Sequence, residues 1–162
     1  MIAAYWFSSQ RQQGGRYTMI DIRFPTALHL MLSLALAHTE GVEQLSSSEL
    51  ANGLGANPSL VRKLLVPLAS AGLVHATYGR DGGIRLGRSA KSITLREIYS
   101  AVIGEKSLWA PRSVPHRCLV SSNVERYFVG LATNADNAVL KTLEHKTLAD
   151  SLAELRKLDA TK

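Results

Sequence analysis

Between Asn57 and Lys91 six basic side chains, Arg62, Lys63, Arg80, Arg85, Arg88 and Lys91, stand against the single acid Asp81, a net of +5 in 35 residues. Guanidinium and ammonium groups neutralise phosphates, and arginine can also pair with guanine edges, so this stretch has the chemistry of a nucleic-acid contact. The enrichment is local, because the overall charge of +6 divides evenly as +2 over residues 1–18, +2 over 19–97 and +2 over 98–162. The second chemically distinctive group is Cys118, the only cysteine of the chain, with His116 and Arg117 beside it and Arg112 nearby. Positive neighbours stabilise a thiolate, the form that reacts with oxidants and electrophiles, which marks Cys118, His116 and Arg117 as an effector or redox candidate. The plainer alternative for the same residue is a small, half-buried apolar anchor in its loop. His29 and His38 have no metal-ligand spacing to an acidic or cysteine partner and read as packing or surface residues, so no metal site is expected. No nucleophile elbow, phosphate loop or paired-carboxylate motif occurs, and no enzyme is expected.

The elements that would position these groups are legible from helix-start boxes, in which a Ser or Thr is followed three residues later by an acid. Four are read as helix starts: Ser46 with Glu49, Thr94 with Glu97, Ser122 with Glu125, and Thr147 with Asp150. Asn57-Pro58 is a fifth start, predicting a helix to Ala71 that Gly72 stops and Leu73 closes by packing back. Pro67 inside it predicts a kink near Lys63 to Val66 or a late, packed turn. A sixth helix is expected over Pro25 to His38, with an apolar face of Leu28, Leu32, Ala35 and Leu36. From Leu73 to Arg88 the period changes to two around a Gly-Arg-Asp-Gly-Gly tip, which predicts a β-hairpin. The aperiodic stretch from Gly104 to Val120 reads as a loop long enough to suspect a function.

A short helix, a tight turn holding Gly53 and Gly55, a second helix and a basic hairpin are the order of a winged helix-turn-helix. On the second helix Val61, Leu64, Leu65 and Leu68 form the core stripe, which turns Ser59, Arg62 and Lys63 outward towards a DNA major groove. Ser46, Ser47 and Ser48 are placed for a backbone phosphate, Arg80 at the hairpin tip is placed for a minor groove, and Asn57, which caps the second helix, and Tyr78 and Arg85, which flank Arg80, complete the expected DNA-binding set. Towards the C-terminus Val124, Phe128, Leu131, Ala135, Ala138 and Thr142 step by 4, 3, 4, 3, 4, a coiled-coil-like seam. An adjoining stripe of Tyr127, Val139, Leu140 and Leu143 makes that helix too broadly apolar for one neighbour, which favours a homodimer over a core stripe in a monomer.

With 162 residues, 46% of them hydrophobic, the chain is long enough to bury a core. No run reaches the roughly 18 apolar residues of a membrane span, since His29, Ser33 and His38 interrupt the most apolar stretch. One cysteine cannot form an intrachain disulfide, and a reducing cytoplasmic setting fits best. Residues 1–18 lack a continuous apolar core and a cleavage site and read as a disordered or mis-started leader, not a targeting signal.

From Met19 to about Leu155 the chain resembles the Rrf2 family of bacterial winged-helix transcription regulators. The resemblance rests on IRFPTALHLMLSLAL, SSSELANGLGANPSLVRKLLVPLASAGLV, GRDGGIRLGRSAKSITLREIYSAV and PHRCLVSSNVERYF. The Pro-x-x-Cys-x-Val form of the last segment is most similar to the YwnA-like branch, which lacks cluster ligands. The resemblance implies a dimer on near-palindromic promoter DNA that senses cluster state, redox or metabolites. Cluster-binding members carry three closely spaced cysteines after the wing, whereas only Cys118 stands here, so no cofactor is expected. Several members place a basic residue just before the wing glycine, where this chain has Tyr78.

The expected fold is mainly α with a small β-hairpin, a winged helix-turn-helix followed by a long C-terminal dimerisation helix. Its expected parts are the leader (1–18), the DNA-binding domain (19–103), a sensor or linker loop (104–120) and a helical dimerisation region (121–162). The expected function is a dimeric, sequence-specific regulator, a repressor, on an inverted-repeat operator of double-stranded DNA, responsive to an oxidant or small molecule through the Cys118 loop, with no membrane partner. The alternative is a winged-helix protein- or RNA-interaction module without sequence-specific readout.

Overall fold

The computed structural model describes residues 21–161 apart from Tyr78, Arg80, Asp81, 111–114, His116 and Arg117, so the expected leader over 1–18 lies outside the described residues. Among the described residues six α-helices and a two-stranded hairpin follow in the order α1 (Arg23–Thr39), α2 (Ser47–Leu54), α3 (Pro58–Ser70), β1 (Val74–Ala76), β2 (Ile84–Leu86), α4 (Leu95–Ile103), α5 (Leu119–Glu144) and α6 (Leu148–Asp159), with a 3-10 turn at Ala90–Ser92. Among the described residues no helix is long and apolar enough to cross a membrane.

Local chemistry explains most boundaries. Reciprocal capping boxes start α2 (Ser46 and Glu49), α4 (Thr94 and Glu97) and α6 (Thr147 and Asp150). The last two stand back to back, because the Leu95 amide donates to the Lys146 carbonyl at 2.9 Å and the Leu148 amide to the Ile93 carbonyl at 2.8 Å. Asn57 starts α3 by accepting from the Ser59 amide at 2.8 Å, and Gly55, at φ +58, makes the left-handed exit from α2 that the tight turn requires. Gly53 belongs to the body of α2 and not to the turn. α3 runs through Pro67 to Ser70, a late position where the ring removes a single intrahelical donor. The Leu73 amide then donates to the Leu68 carbonyl at 2.9 Å, closing the helix end as expected.

Two further expectations need correction. The long helix starts at Leu119 and not at the Ser122 box: Cys118 caps it, its sulfur accepting from the Ser121 amide at 3.5 Å while its own amide donates to Ser121 Oγ at 2.9 Å. A thiol has taken the place of a hydroxyl in the same three-residue spacing. The apolar face assigned to the first helix is also displaced. Ala27, Leu30, Met31 and Leu34 are its buried residues, together with Ala35 and Ala37, whereas Leu28 and Leu32 are half-buried and Leu36 is exposed. Leu28, Leu32 and Leu36 instead line an apolar groove shared with Leu152 and Leu155 of α6. Both stripes of α1 are apolar, and helical period alone does not choose between them.

The core joins α1 to α3, α4 and α6, with Leu30, Val61, Leu68, Leu73, Ile98 and Leu148 all 0% exposed. The hairpin pairs Val74 with Leu86 and Ala76 with Ile84. It is too short to be stable alone and leans on the helical core. Leu45 and Ile84 exchange backbone hydrogen bonds of 2.9 and 2.7 Å, tying β2 to the segment that enters α2. Gly87 closes the same region, its amide donating to Leu73 O at 2.9 Å, and a Cβ at Gly87 would stand 2.3 Å from the Gly72 carbonyl oxygen. Gly87→Ala is therefore expected to lower stability by ~1–3 kcal/mol in denaturant titration. Gly53→Ala, where a Cβ meets nothing within 4 Å, is expected to gain ~0.5–1 kcal/mol. Equal midpoints for the two variants would show that the Gly87 approach is not tight.

Candidate nucleic-acid interface

Helix α3 presents one face to the core and the other to solvent. Val61, Leu64 and Leu68 are buried and Leu65 is half-buried, which leaves Ser59, Arg62 and Lys63 exposed on the opposite face as the spacing predicts. Among the described residues neither Arg62 nor Lys63 has an ion-pair partner. Arg62 also lines a cleft of about 430 Å³ between α3, the start of α2 and the hairpin, with Ser46, Ser47, Thr77 and Gly79 among its walls.

The start of α2 is less open than its three serines suggest. Ser46 Oγ accepts from the Glu49 amide at 3.1 Å, and the Glu49 carboxylate accepts from the Ser46 amide at 2.7 Å. Hydrogen bonds from Ser46, the backbone amide first and the hydroxyl second, hold the Glu49 carboxyl below its ordinary range, so a negative charge already stands at this helix end. Ser47, half-buried, and Ser48, exposed, occupy the first two helical positions, where amides lack intrahelical partners. Asn57 is exposed, with its carbonyl oxygen engaged by Ser59.

Arg85 stands apart from this cleft. It projects from β2 into a second cleft, bounded by the C-terminal end of α1 and by α6. Tyr78 and Arg80, the expected hairpin-tip contacts, lie outside the described residues. Val66 was not foreseen. It is 67% exposed on the outward face of α3, one turn beyond Arg62, and lines the same cleft. An apolar side chain four residues after an arginine, on an otherwise polar face, was the available signal, and such a group suits a thymine methyl.

Cys118 is exposed, so it is not a half-buried anchor. Its thiol is held below the ordinary cysteine range first by the Ser121 backbone amide, then by the Ser121 hydroxyl and the Val120 amide. These donors belong to the first turn of α5, whose partial positive charge also favours a thiolate. His116 and Arg117, the expected cause, lie outside the described residues.

Helix α5, 26 residues long, has Ala132 as its only buried residue. One face meets the chain itself: Phe128 packs against Trp109 at 6.2 Å between ring centroids, and Asp136 accepts from Ser107 Oγ at 2.6 Å and from the Leu108 amide at 2.9 Å. The neighbouring face carries Val120, Val124, Tyr127, Leu131, Ala138 and Thr142 at helical spacing, with Tyr127 72% and Leu131 45% exposed. Four of the expected seam residues share this outward face, while Ala135 stands at its edge and Phe128 turns to Trp109.

The sequence profile of a family described as "Rrf2: Iron-dependent Transcriptional regulator" matches residues 20–154. The HTH-type transcriptional regulator IscR of Cereibacter sphaeroides is 36% identical over 88 residues, 54% of this chain and 51% of that protein, so the chain aligns with about half of that relative's length. YwnA of Bacillus subtilis, described as an HTH-type regulator, is 25% identical over 85% of this chain and 99% of its own length. Among solved structures, the global cysteine regulator CymR of Bacillus subtilis is 25% identical with a TM-score of 0.59, covering 83% of this chain and 96% of that one. The oxidised form of Staphylococcus aureus CymR is 26% identical with a TM-score of 0.60, over 82% and 94%.

Proposed function

This chain belongs to the Rrf2 family of transcriptional regulators, and from that premise we propose that it is a dimeric, sequence-specific DNA-binding repressor acting on an inverted-repeat operator. The observation that carries the proposal is the outward face of α3. Ser59, Arg62, Lys63 and Val66 combine two cations without an ion-pair partner among the described residues, a hydroxyl and one apolar group on the second helix of a helix-turn-helix, where side chains reach base edges. Ser47 and Ser48 are placed for the backbone phosphate that would fix register. The outward apolar face of α5 supports pairing with a second copy, and a two-fold pair would set two α3 helices about one DNA turn apart, ~34 Å. In this reading residues 19–103 read DNA, 104–120 link and sense, and 121–162 dimerise.

The test is competition binding on duplex fragments selected from genomic DNA, against random duplex and single-stranded RNA, over a salt series. The expected result is preference for the selected duplex and a log affinity that falls with log salt by about 0.9 per phosphate contacted. Equal affinity for random duplex, or preference for RNA, would favour an interaction module without sequence readout.

The iron in the family description does not fit this chain. A cluster held by one chain needs several thiolates, and the sequence holds only Cys118, an exposed helix cap. Among the described residues no three His, Cys, Asp or Glu side chains are grouped as metal donors. We propose instead that the protein has no resident cofactor and that Cys118 itself is the responsive group. Its exposure and its helix-terminal donors support this, and a relative, CymR, has an oxidised form. Peroxide would convert the thiolate to a sulfenic acid with release of hydroxide, and a small thiol could then cap it with loss of water. Cys118→Ser is expected to abolish a peroxide effect on operator affinity. Ser121→Ala is expected to shift the pH profile of thiol alkylation to higher pH, because two of the donors that stabilise the thiolate come from Ser121 and one is lost. Identical peroxide responses in wild type and Cys118→Ser would remove the sensor role.

A further inference from the structure

A cleft of about 750 Å³ opens between the C-terminal end of α1, the stretch from β2 through the 3-10 turn, and α6. Its walls bring together Arg85, Arg88, Lys91 and Arg156, with His38 and the single acid Glu43. Arg85, Arg88 and Lys91 belong to one short stretch from β2 to the 3-10 turn, and the fold brings Arg156 of α6, 65 residues further on, to the same cleft. Glu97 balances the charge of Arg88, and the three other cations around one concavity repel one another in a field that apolar walls intensify. Leu86 and Leu152 supply such apolar surface.

Two of the four are held in place. Arg88 pairs with Glu97 at 2.7 Å and donates to the Ser92 carbonyl at 3.3 Å, while Arg156 donates to Thr39 Oγ1 at 2.7 Å. Arg85 and Lys91 have no ion-pair partner among the described residues. A pair of anchored guanidiniums with two free cations suits a compact molecule bearing two or more oxyanion groups, and the volume lies within the usual range of small-ligand sites.

We propose that this cleft binds a small polyanion, a di- or tricarboxylate or a phosphate compound, bridging the wing strand β2 to α6. Arg85 and Lys91 close on the oxyanions, and Leu86 and Leu152 pack against the carbon frame. Because Arg85 belongs to the wing, occupancy would fix the wing relative to α1 and α6. That consequence rests on the DNA-binding reading above, whereas the binding itself does not.

The test is titration calorimetry of the full chain with citrate and with pyrophosphate, at constant ionic strength against chloride. Saturable binding of at least one anion, one per chain, is expected. Changing Arg85 and Lys91 together to glutamine is expected to weaken it about tenfold or more with an unchanged circular dichroism spectrum. Glu43→Gln, which removes the only acid of the cleft, is expected to tighten it. Citrate binding alone assigns carboxylates, and pyrophosphate binding alone assigns phosphates. The proposal is overturned if neither anion binds, or if the double variant binds as wild type does. It is equally overturned if neither anion binds and the double variant loses duplex affinity, because the cleft would then hold a DNA backbone phosphate.

Discussion

Replacing Leu131 with glutamate is expected to convert a dimer into monomers and to lower operator affinity by about 10²–10⁴-fold, the span that linking two binding modules can supply. Leu131 lies at the centre of the outward face of α5, between Tyr127 and Ala138, and is 45% exposed in the single chain. It is not among the core residues of its own chain, so a charge there should leave helicity unchanged and lower the unfolding midpoint only by the concentration-dependent stabilisation that pairing supplies. In a two-fold pair that buries this face, each chain would carry a carboxylate desolvated in the interface. Light scattering at micromolar concentration separates the outcomes. A variant that remains dimeric with wild-type affinity would move the interface elsewhere, and the apolar groove between α1 and α6 would be the next surface to mutate. Phe128→Glu is a poorer probe, because Phe128 packs on Trp109 in its own chain and the substitution would disturb that loop as well.

Arg62→Ala is expected to weaken operator binding by ~1–3 kcal/mol and to relax preference at one base pair, as loss of a paired contact to a guanine edge does. Arg62 is exposed, has no ion-pair partner among the described residues, and stands over the cleft between α3 and the hairpin. Lys63→Ala is the internal comparison: a phosphate contact should cost affinity on every sequence alike and reduce the salt slope by about one. The measurement is affinity on the operator and on a panel of single-base variants. If Arg62→Ala loses affinity uniformly across the panel, Arg62 touches phosphate, and Val66 and Ser59 become the readout candidates.

Much of the candidate site was legible because its signals are local. A capping box is a matter of two residues three apart, and Ser46 with Glu49, Thr94 with Glu97 and Thr147 with Asp150 each close within a single turn. The outward position of Arg62 and Lys63 follows from where Val61, Leu64 and Leu68 must go. Where a signal was local but chemically unusual it was misplaced: Cys118 caps α5 with sulfur, and the Ser122 box one turn later lies inside the helix.

The sequence by itself determined the element order, the outward basic face of the second helix of the helix-turn-helix and the presence of a surplus apolar face near the C-terminus. Each follows from hydrogen bonding and periodicity within a few turns of chain. Only the tertiary structure decided which of two apolar stripes of α1 is buried, since that choice depends on where α3, α4 and α6 stand. It also decided that Gly87 must be a glycine, because the carbonyl it would strike belongs to Gly72, fifteen residues away. Arg85 and Arg156 are joined across one cleft for the same reason. Contacts between residues far apart in sequence are fixed by packing of whole elements, and no spacing rule along the chain encodes them.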